Sequence, residues 1–389
     1  MKNPLVIGFD AKRIVRNRTG LGSYGRTLVN DLAQRDDLLL RLYAPDAGYD
    51  DLRRQVPEGD TLCYCHPRLS PLSSLPSPLS SFEKSHWRSR RVVSDLLRDG
   101  VQLYHGLSGE LPVGIRRSGI KSVVTIHDLI FLRHPEFYNW IDTKIYAWKF
   151  RQTLREADHI IAISECTKRD IMELGDVDER RISVIYQSYS PRFKQRRTSV
   201  PPHLSSLLSP LPSNRYILSV GSIERRKNIL LAVKALPMLP DDLSLVVVGR
   251  HTPYADQVSD YVKTHHLESR VQMLHGVADD ALPALYAGAE AFVYPSVYEG
   301  FGIPIIEAVS CGLPVVACTG SCLEEAGGPD ALYVAPDDVQ GMAVAIRQSL
   351  RGATGRDERI ERSRRYIRRF QGADVAAQVV DVYHRLLSL

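Results

Sequence analysis

The chain has 389 residues, of which 44% are hydrophobic and 24% are charged, and its net charge is +5. This composition excludes a wholly disordered chain, and the length favours two domains over one. The mild positive charge fits an anionic ligand, an anionic membrane surface or nucleic acid, while no apolar run approaches the roughly 18 to 20 residues that span a bilayer.

Short apolar runs alternate with amphipathic helical patterns along the whole chain. This alternation predicts parallel sheets that are covered by helices on both faces. The runs form two series, so the fold class is predicted to be α/β with two doubly wound domains. The first series comprises residues 5–9, 38–43, 101–104, 122–126, 159–163 and 182–186, and the second comprises residues 216–220, 243–248, 271–274, 291–294, 314–317 and 331–334.

Two stretches rich in proline and serine interrupt this pattern. Residues 191–214 lack either periodicity and are predicted to link domains placed at 1–195 and 196–372. Residues 66–81 interrupt the first domain. The apolar spacing of residues 373–389 predicts a last amphipathic helix.

A basic and aromatic stretch, KSHWRSRR, follows the first of these proline-rich segments. One interpretation is a solvated loop followed by a charged helix face. The other is an acceptor or membrane-surface element, in which aromatic and basic side chains meet anionic headgroups. The side chains in question are those of Trp87, Arg88, Arg90 and Arg91.

The six cysteines are scattered along the chain. Cys63 and Cys65 have no second pair at zinc spacing, so the pattern does not favour a metal site. Scattered cysteines are typical of free thiols in a reducing cytosol. The apolar run near the N-terminus is too short for a signal peptide and is typical of a first strand.

The stretch YEGFGIPIIEAVSCGLPVVA, residues 298–317, predicts a glycine-rich loop between a strand and a helix. Gly300 and Gly302 allow bare backbone to approach a ligand, and the start of the helix favours an anion. Glu299 and Glu307 would then hold a polyol and a ribose on either side of the phosphates. The alternative is an acid favoured by the helix dipole together with a solvated helical glutamate.

The stretch GSIERRKN, residues 221–228, places three cations in front of a predicted helix. The helix dipole disfavours positive charge there, so the cations indicate a bound anion such as a diphosphate, or else a solvated basic turn. The glycines of TGLGSYG open a helix near the first strand and give a weaker indication of a phosphate or sugar contact. His127, in TIHDL, ends a buried strand and is either structural or catalytic.

Together these motifs resemble glycosyltransferase family four. EGFGIPIIE, ERRKN, TGLGSYG, TIHD, AISECTKRD and YPS occur in the family's order from Asp10 to about Gly328. The resemblance implies the GT-B fold, with two Rossmann-like domains facing a central cleft and a last helix that crosses back to the first domain. It also implies a retaining hexosyltransferase that uses a nucleotide diphosphate sugar and needs no metal or other cofactor.

The resemblance also implies a role for each matching residue. Glu299 would contact the sugar hydroxyls, and Glu307 the ribose. Arg226 and Lys227 would neutralise the diphosphate, and His127 would sit at the reacting sugar. His127, Glu299 and Lys227 are thus the expected catalytic residues. The rest of the donor site would be formed by Gly20, Gly22, Ser296, Gly300, Phe301 and Gly302.

Within the family, the motifs are most similar to bacterial mannosyl- and related transferases of surface-polysaccharide assembly. This likeness implies GDP-mannose as donor, a lipid-linked or glycan acceptor in lipopolysaccharide synthesis, a cytoplasmic location at the inner membrane face, and no nucleic acid. A sugar-nucleotide epimerase and a noncatalytic sugar-nucleotide-binding protein stay open as alternatives. An epimerase would have no use for an acceptor surface, and a binding module would have little use for Glu299, Lys227 and His127 together.

Overall fold

The computed structural model describes residues 4–67, 78–194, 211, 213–370 and 372–387. The chain divides into two compact units. Unit 1 comprises Met1–Ser188 with Phe370–Leu389, and unit 2 comprises Tyr189–Arg369. Over the described residues, no helix combines the length and the apolar character needed to cross a bilayer.

The described part of unit 1 contains a seven-stranded parallel sheet. Its strands are β1 (Leu5–Asp10), β2 (Leu38–Tyr43), β3 (Leu62–Cys65), β4 (Leu103–Gly106), β5 (Lys121–Ile126), β6 (His159–Ala162) and β7 (Ile182–Val184), in the order β3-β2-β1-β4-β5-β6-β7. The order reverses direction between β1 and β4. In open α/β sheets, ligands bind beyond the carboxyl ends of the strands at such a point.

Helices cover both faces of this sheet. They are α1 (Lys12–Arg16), α2 (Gly20–Leu32), α3 (Asp50–Arg53), α4 (Pro78–His86), α5 (Val92–Arg98), α6 (Ile130–Arg133), α7 (Trp140–Glu156), α8 (Glu165–Gly175) and the C-terminal helix (Gly372–Leu387). A π-helical turn, Trp87–Arg91, joins α4 to α5. The C-terminal helix contributes Val379 and Tyr383 to the same buried cluster as Leu28 and Leu32 of α2, which explains why it belongs to unit 1.

Unit 2 has the same architecture, with six parallel strands among its described residues. They are β8 (Tyr216–Val220), β9 (Ser244–Val248), β10 (Val271–Leu274), β11 (Ala291–Tyr294), β12 (Val315–Cys318) and β13 (Leu332–Val334), in the order β10-β9-β8-β11-β12-β13. The helices are α9 (Ile229–Ala235), α10 (Pro253–Thr264), α11 (Leu282–Gly288), α12 (Ile303–Ser310), α13 (Leu323–Gly327), α14 (Val339–Ser349) and α15 (Arg356–Tyr366). The order reverses between β8 and β11. Two doubly wound units confirm the predicted fold class.

Two details differ from the sequence-based expectation. Strand β3 was not predicted, because its four residues read LCYC and it pairs along one side only, with β2. The predicted domain boundary at 195 lies a few residues too late. Phe193 is fully buried in unit 2 and its ring packs edge-on against Tyr286, with the ring centroids 5.6 Å apart. Residues 195–210 and 212 of the predicted linker, and residues 68–77 of the first proline-rich stretch, lie outside the described residues.

Candidate functional site

The acidic and basic motifs of unit 2 meet at one edge of its sheet. Glu299 lies in the loop between β11 and α12, and Arg226 and Lys227 lie in a 3₁₀ turn between β8 and α9. Strands β8 and β11 are neighbours in the sheet, so their carboxyl ends bring the two loops side by side. A backbone hydrogen bond of 2.9 Å, from the Val297 amide to the Arg226 carbonyl, fixes the loops to each other.

Glu299 bridges the two cations. Its Oε1 lies 2.5 Å from Lys227 Nζ, and its Oε2 lies 2.7 Å from an Arg226 guanidinium nitrogen. Arg226 also donates to the Tyr298 carbonyl over 2.6 Å. The side chains of all three charged residues are largely buried. Glu224 is a more distant and more exposed partner, with its Oε2 3.9 Å from the other terminal nitrogen of Arg226. The buried part of the cluster, one carboxylate between two cations, therefore keeps a surplus positive charge, which suits an anion.

The ionisation of these groups follows from their contacts. Burial alone would raise the pKa of Glu299, but the charges of Lys227 and Arg226 outweigh burial and lower this pKa to about 2. Burial would likewise lower the pKa of Lys227, but Glu299 raises it to about 12. Glu299 and Lys227 are therefore charged at neutral pH, and an arginine side chain such as that of Arg226 keeps its charge in proteins.

Tyr294, the last residue of β11 and the first of the YPS motif, completes this cluster, and no role was predicted for it from the sequence. Its hydroxyl accepts a 2.6 Å hydrogen bond from Lys227 Nζ and donates to Glu299 Oε1 over 3.3 Å. Burial, followed by the charge of Glu299, raises the pKa of Tyr294 to about 12. Its position at the end of a predicted strand, two residues before Ser296, could have indicated that it lies at the site. Tyr294 positions the acid and the lysine relative to each other.

Glu307 lies within α12, away from these cations. Its Oε2 accepts a hydrogen bond of 3.2 Å from the Tyr286 hydroxyl. Burial raises the pKa of Glu307 to about 8, and this effect exceeds the opposing ones of Arg192 and Tyr286. The two glutamates of the motif therefore differ in charge at pH 7, since Glu299 is ionised and Glu307 is mostly neutral.

The loop before α12 is closely packed. A Cβ added at Gly302 would lie 2.7 Å from the Cβ of Ala326, so a larger residue does not fit. The Cys322 thiol lies within hydrogen-bond distance of the carbonyls of Glu299 and Phe301, and its single proton is shared between them, which helps to hold the loop containing Gly300 in place. The Ser296 hydroxyl is buried and has no hydrogen-bond partner within the described part of the chain. An unpaired buried hydroxyl costs about 1 to 3 kcal/mol.

His127 follows β5 in unit 1, as expected, and both of its ring nitrogens are engaged. Nε2 lies 2.8 Å from the Leu107 carbonyl, so it carries the proton, and Nδ1 lies 2.7 Å from the Gln187 side-chain amide. Burial lowers the pKa of His127 to about 4. In this conformation the ring is neutral and has no nitrogen left for proton transfer, so its predicted contact with the reacting sugar stays a prediction.

Gly20 and Gly22 lie in the first turn of α2 and not in a loop. The Gly22 amide already donates to the Thr19 carbonyl over 3.0 Å and to Asn17 Oδ1 over 3.1 Å. A Cβ at Gly22 would lie 1.9 Å from the Asn17 carbonyl oxygen, whereas a Cβ at Gly20 would meet nothing within 4 Å. The Gly22 amide is thus used within the turn in this conformation, and a phosphate contact of this amide stays a prediction.

The expected headgroup contacts of Trp87 and Arg88 are also wrong. Trp87 is only 3% exposed, and its indole N–H donates to Asp95 over 2.7 Å. Arg88 is largely buried and forms ion pairs with Asp10, over 2.8 Å, and with Glu110. The helical turn directs both side chains into unit 1. Arg90 and Arg91, which follow in the same turn, are exposed.

Comparisons with known proteins agree with this fold. The family described as "Glycosyltransferase Family 4" matches residues 19–191, and "Glycosyl transferases group 1" matches residues 209–366. "O-antigen chain mannosyltransferase B" from Escherichia coli is 28% identical over 376 residues, which is 95% of this chain and 96% of that protein.

Two solved structures share the fold. Sucrose-phosphate synthase from Thermosynechococcus elongatus has a TM-score of 0.75 at 21% identity and covers 99% of both chains. Anabaena Alr3699/HepE in complex with UDP and glucose has a TM-score of 0.71 at 18% identity and covers 99% of this chain and 100% of that one. Two doubly wound units with this motif set define a glycosyltransferase of the GT-B fold.

The two family matches together cover most of the chain and follow the order of the motifs. The chain belongs to the family 4 glycosyltransferases and is a hexosyltransferase, similar in sequence to mannosyltransferases of O-antigen chains.

Proposed function

We propose that this enzyme transfers mannose from GDP-mannose to a lipid-linked or glycan acceptor in lipopolysaccharide synthesis, with retention of the anomeric configuration. The proposal rests on the cluster of Arg226, Lys227 and Glu299, which has the charge and the position in the sheet for a sugar diphosphate. Similarity to an O-antigen mannosyltransferase over nearly the whole chain supports mannose as the sugar.

Charge develops on the leaving diphosphate as the bond to the sugar breaks. Arg226 and Lys227 are fixed by Glu299 and Tyr294, so they need little rearrangement to stabilise that charge. Preorganised charge of this kind is a large contributor to catalysis, and loss of one such donor typically costs about 3 to 4 kcal/mol. The buried surroundings strengthen the effect, because fewer waters screen it.

Glu299 holds both cations when no donor is bound. A bound diphosphate would compete for Lys227 and Arg226 and would leave the oxygens of Glu299 partly available. A carboxylate that stays ionised down to about pH 2 is a strong acceptor for sugar hydroxyls. Glu299 is therefore assigned to the transferred sugar, and Glu307, which lies further along α12, to the ribose.

Two cations already neutralise the diphosphate in this proposal, so we expect the reaction to need no added metal. In the described residues, no three His, Cys, Asp or Glu side chains are grouped as a metal site. Turnover of GDP-mannose by the purified enzyme in EDTA should equal turnover with added Mg²⁺. A strict Mg²⁺ requirement would contradict this part of the proposal.

A panel of nucleotide sugars tests the donor. GDP-mannose should raise the melting temperature in a concentration-dependent manner, and more than GDP-glucose, UDP-glucose or UDP-galactose, because a ligand that binds the native state stabilises it. NMR of the product should show the anomeric configuration of the donor. A larger shift with a UDP sugar would rule out the donor assignment, and an inverted product would rule out retention.

Contact with an anionic membrane surface remains part of the proposal, and it rests on two of the four predicted residues, Arg90 and Arg91. Arg90 and Arg91 are exposed, and so are Arg116 and Arg117, whose segment is joined to the turn by a hydrogen bond from the Val113 amide to the Ser89 carbonyl. Each basic residue near an anionic surface contributes about 1 kcal/mol to membrane binding.

Vesicle sedimentation tests this assignment. The fraction of the double variant R90E/R91E that sediments with phosphatidylglycerol vesicles should be lower than that of the wild type. The control variant R365E/R368E makes an equal change of exposed charge in unit 2 and should sediment like the wild type. An equal loss of vesicle binding in the two variants would refute the assignment.

A further inference from the structure

The ring of His127 is held by two hydrogen bonds that fix the same position of its proton. The Leu107 carbonyl, just after β4, can only accept, so His127 Nε2, which is 2.8 Å away, carries the proton. The Gln187 amide nitrogen can only donate, so His127 Nδ1, which is 2.7 Å away, accepts. The two partners therefore select one neutral form of the ring, with a lone pair on Nδ1.

Gln187 reaches His127 from a distant part of the chain. It follows β7 near the end of unit 1, 60 residues after His127. It is only 7% exposed and is the one buried glutamine among the described residues, whereas glutamine is mostly exposed in proteins. A buried amide without a partner destabilises a fold, and the imidazole of His127 supplies that partner. The contact is therefore an internal feature of unit 1 and not a surface contact.

Other contacts hold the ring and keep it neutral. The Tyr24 ring of α2 packs edge-on against it, with the ring centroids 4.8 Å apart, and the Thr167 hydroxyl of α8 donates to the His127 carbonyl over 3.2 Å. Burial lowers the pKa of His127 to about 4, and the charge of Arg13 in α1 acts in the same direction. His105 of β4 is close enough for the two imidazoles to interact. Unit 1 thus maintains an uncharged imidazole.

A ligand gains a nitrogen of this ring only by replacing one of its two partners. The Leu107 carbonyl belongs to the backbone, whereas the Gln187 amide is at the end of a flexible side chain. One neutral hydrogen bond replaces another at little net cost, so a hydroxyl group can take the place of the amide on Nδ1. A sugar hydroxyl fits this position, because it can donate to the lone pair that Gln187 keeps available.

We propose that Gln187 is the positioning residue of His127, and that a hydroxyl of the transferred sugar replaces the Gln187 amide at Nδ1 during the reaction. The inference rests on the proposed function, because it names the atom of His127 that meets the sugar. His127 then acts as a neutral acceptor of a hydrogen bond and not as an acid. Gln187 acts through His127, by keeping the proton on Nε2 and the ring in place.

Nitrogen NMR reads the position of the proton directly. The full chain is labelled with ¹⁵N-histidine, and H127A identifies the His127 signals among those of the 12 histidines. In the wild type at pH 6, His127 should show one protonated and one unprotonated nitrogen. Addition of the nucleotide sugar that stabilises the enzyme most should move the Nδ1 signal more than the Nε2 signal. A shift of Nε2 with an unchanged Nδ1 would overturn the assignment of the atom.

The variant Q187E reverses the hydrogen bond at Nδ1. A carboxylate can only accept, so it favours an imidazolium that donates to the new carboxylate and to Leu107 at the same time, and it raises the pKa of His127. His127 of Q187E should therefore be protonated on both nitrogens at pH 6. Q34E makes the same substitution at an exposed glutamine of unit 1 and should give the wild-type spectrum. A wild-type His127 spectrum in Q187E would overturn the role of Gln187.

Kinetics distinguish positioning from packing. Q187E should lower kcat at least tenfold at pH 7, because an imidazolium cannot accept a hydrogen bond from the sugar. As pH rises through the raised pKa of His127, the neutral ring returns. The ratio of kcat in Q187E to kcat in Q34E should therefore increase between pH 6 and pH 8.5, and the ratio cancels the titration of other groups. A ratio that stays constant would mean that Gln187 only packs, and would overturn the proposal.

The variant Q187M tests the same role without a buried charge. Methionine has a similar length and donates no hydrogen bond, so the Nδ1 signal of His127 should move, and kcat should fall at least fivefold with little change in KM for the nucleotide sugar. A wild-type kcat in folded Q187M would overturn the proposal. Absence of GDP-mannose turnover by the wild type would instead overturn the proposed donor, while the NMR spectra of Q187E and Q187M without ligand would still decide the role of Gln187.

Discussion

When the chain folds, the Lys227 amino group loses its hydrating water and contacts two side chains, those of Glu299 and Tyr294. Its amino group lies 2.5 Å from a Glu299 oxygen and 2.6 Å from the Tyr294 hydroxyl. Burial of an ammonium group is costly unless it is paired. The pairing therefore explains how a cation can be kept, dehydrated and charged, at the place where a diphosphate is expected.

The first prediction concerns this lysine. K227A should lower donor kcat/KM at least tenfold, and by up to several hundredfold if the full effect of one stabilising charge is lost. K234A removes an exposed lysine from the following helix and should leave turnover unchanged. Steady-state donor hydrolysis measures both, with circular dichroism as a check that K227A is folded. If folded K227A hydrolyses the donor as fast as K234A does, then Lys227 does not stabilise the diphosphate.

The second prediction concerns the proton on Glu307. Because its pKa is raised to about 8, Glu307 is mostly protonated at pH 7. Two ribose hydroxyls donate better to a charged carboxylate than to a neutral one, so nucleotide binding should lower this pKa and release a proton. Titration calorimetry of GDP-mannose in two buffers of different ionisation enthalpy gives the number of protons released. The diphosphate diester itself does not titrate near pH 7.

The same titration on variants completes this test. E307Q carries no titratable proton at this position and should bind without proton release. E324Q changes an exposed acid of the same unit and should release protons like the wild type. Uptake of a proton by the wild type, or undiminished release by E307Q, would place the ribose elsewhere.

Two glycines in the first turn of helix α2 look equivalent in the sequence but have different surroundings in the structure. Gly22 lies against the Asn17 carbonyl oxygen, whereas Gly20 borders open space. The motif TGLGSYG predicted that both contribute to ligand binding. The geometry gives Gly22 a packing role, which an added side chain would disrupt, whereas Gly20 tolerates one.

The third prediction follows from this difference. G22A should lower the free energy of unfolding by about 1 to 3 kcal/mol, because the added methyl group collides with backbone that cannot move freely. G20A should keep or slightly raise stability, since alanine is up to about 1 kcal/mol better than glycine in helices. Urea denaturation measures both, and donor kcat/KM of G20A then tests the phosphate role separately. Equal loss of stability in the two variants would contradict the assignment.

The elements with strong local signals could be predicted from the sequence. Strand β11 and helix α12 were found because Pro304 and Gly312 mark the two ends of the helical pattern, and Gly312 has a φ of +87° that favours glycine. Strand β3 was missed because four residues with two cysteines carry no alternation. In the same way, the pattern WRSRR indicates a charged surface, and only its packing shows that Trp87 faces inward.

Contacts between distant segments could not be predicted in the same way. The motifs indicated that Glu299, Arg226 and Lys227 serve one ligand, but they gave no sign that the acid binds both cations directly. That pairing depends on β8 and β11 being neighbours in the sheet. The acid–base network of Arg88 was missed for the same reason, because its partners Asp10, at the end of β1, and Glu110, in the loop after β4, are far apart in the sequence.

At the scale of the whole molecule, the two units differ in how protons affect their stability. In the described part of unit 1, removal from water lowers the pKa values of His105 to about 3 and of His127 and His159 to about 4. Unit 2 contains Glu307, whose pKa burial raises. In the unfolded chain these groups titrate near their ordinary values of about 6.5 and 4.5.

These shifts have opposite signs. As pH falls below about 6.5, the unfolded chain takes up protons on the histidines while folded unit 1 does not, so the free energy of unfolding of unit 1 decreases. At pH 5 the cost is about 2 kcal/mol for each histidine. Glu307 is protonated in folded unit 2 up to about pH 8, so its contribution to stability is full below about pH 4.5 and is lost as pH rises to 8.

The fourth prediction is that acid weakens unit 1 and strengthens unit 2. Between pH 7 and pH 5, hydrogen exchange corrected for intrinsic rates should speed up in β4 and β5 and slow down in β11 and α12. His105 binds the Tyr383 hydroxyl over 2.6 Å and Thr125 over 2.8 Å, so it ties the C-terminal helix to the sheet. H105Q cannot take up this proton and should show a smaller pH dependence in unit 1, even if it is less stable at pH 7. An undiminished dependence in H105Q, or the same direction of change in both units, would show that other groups control the response to acid.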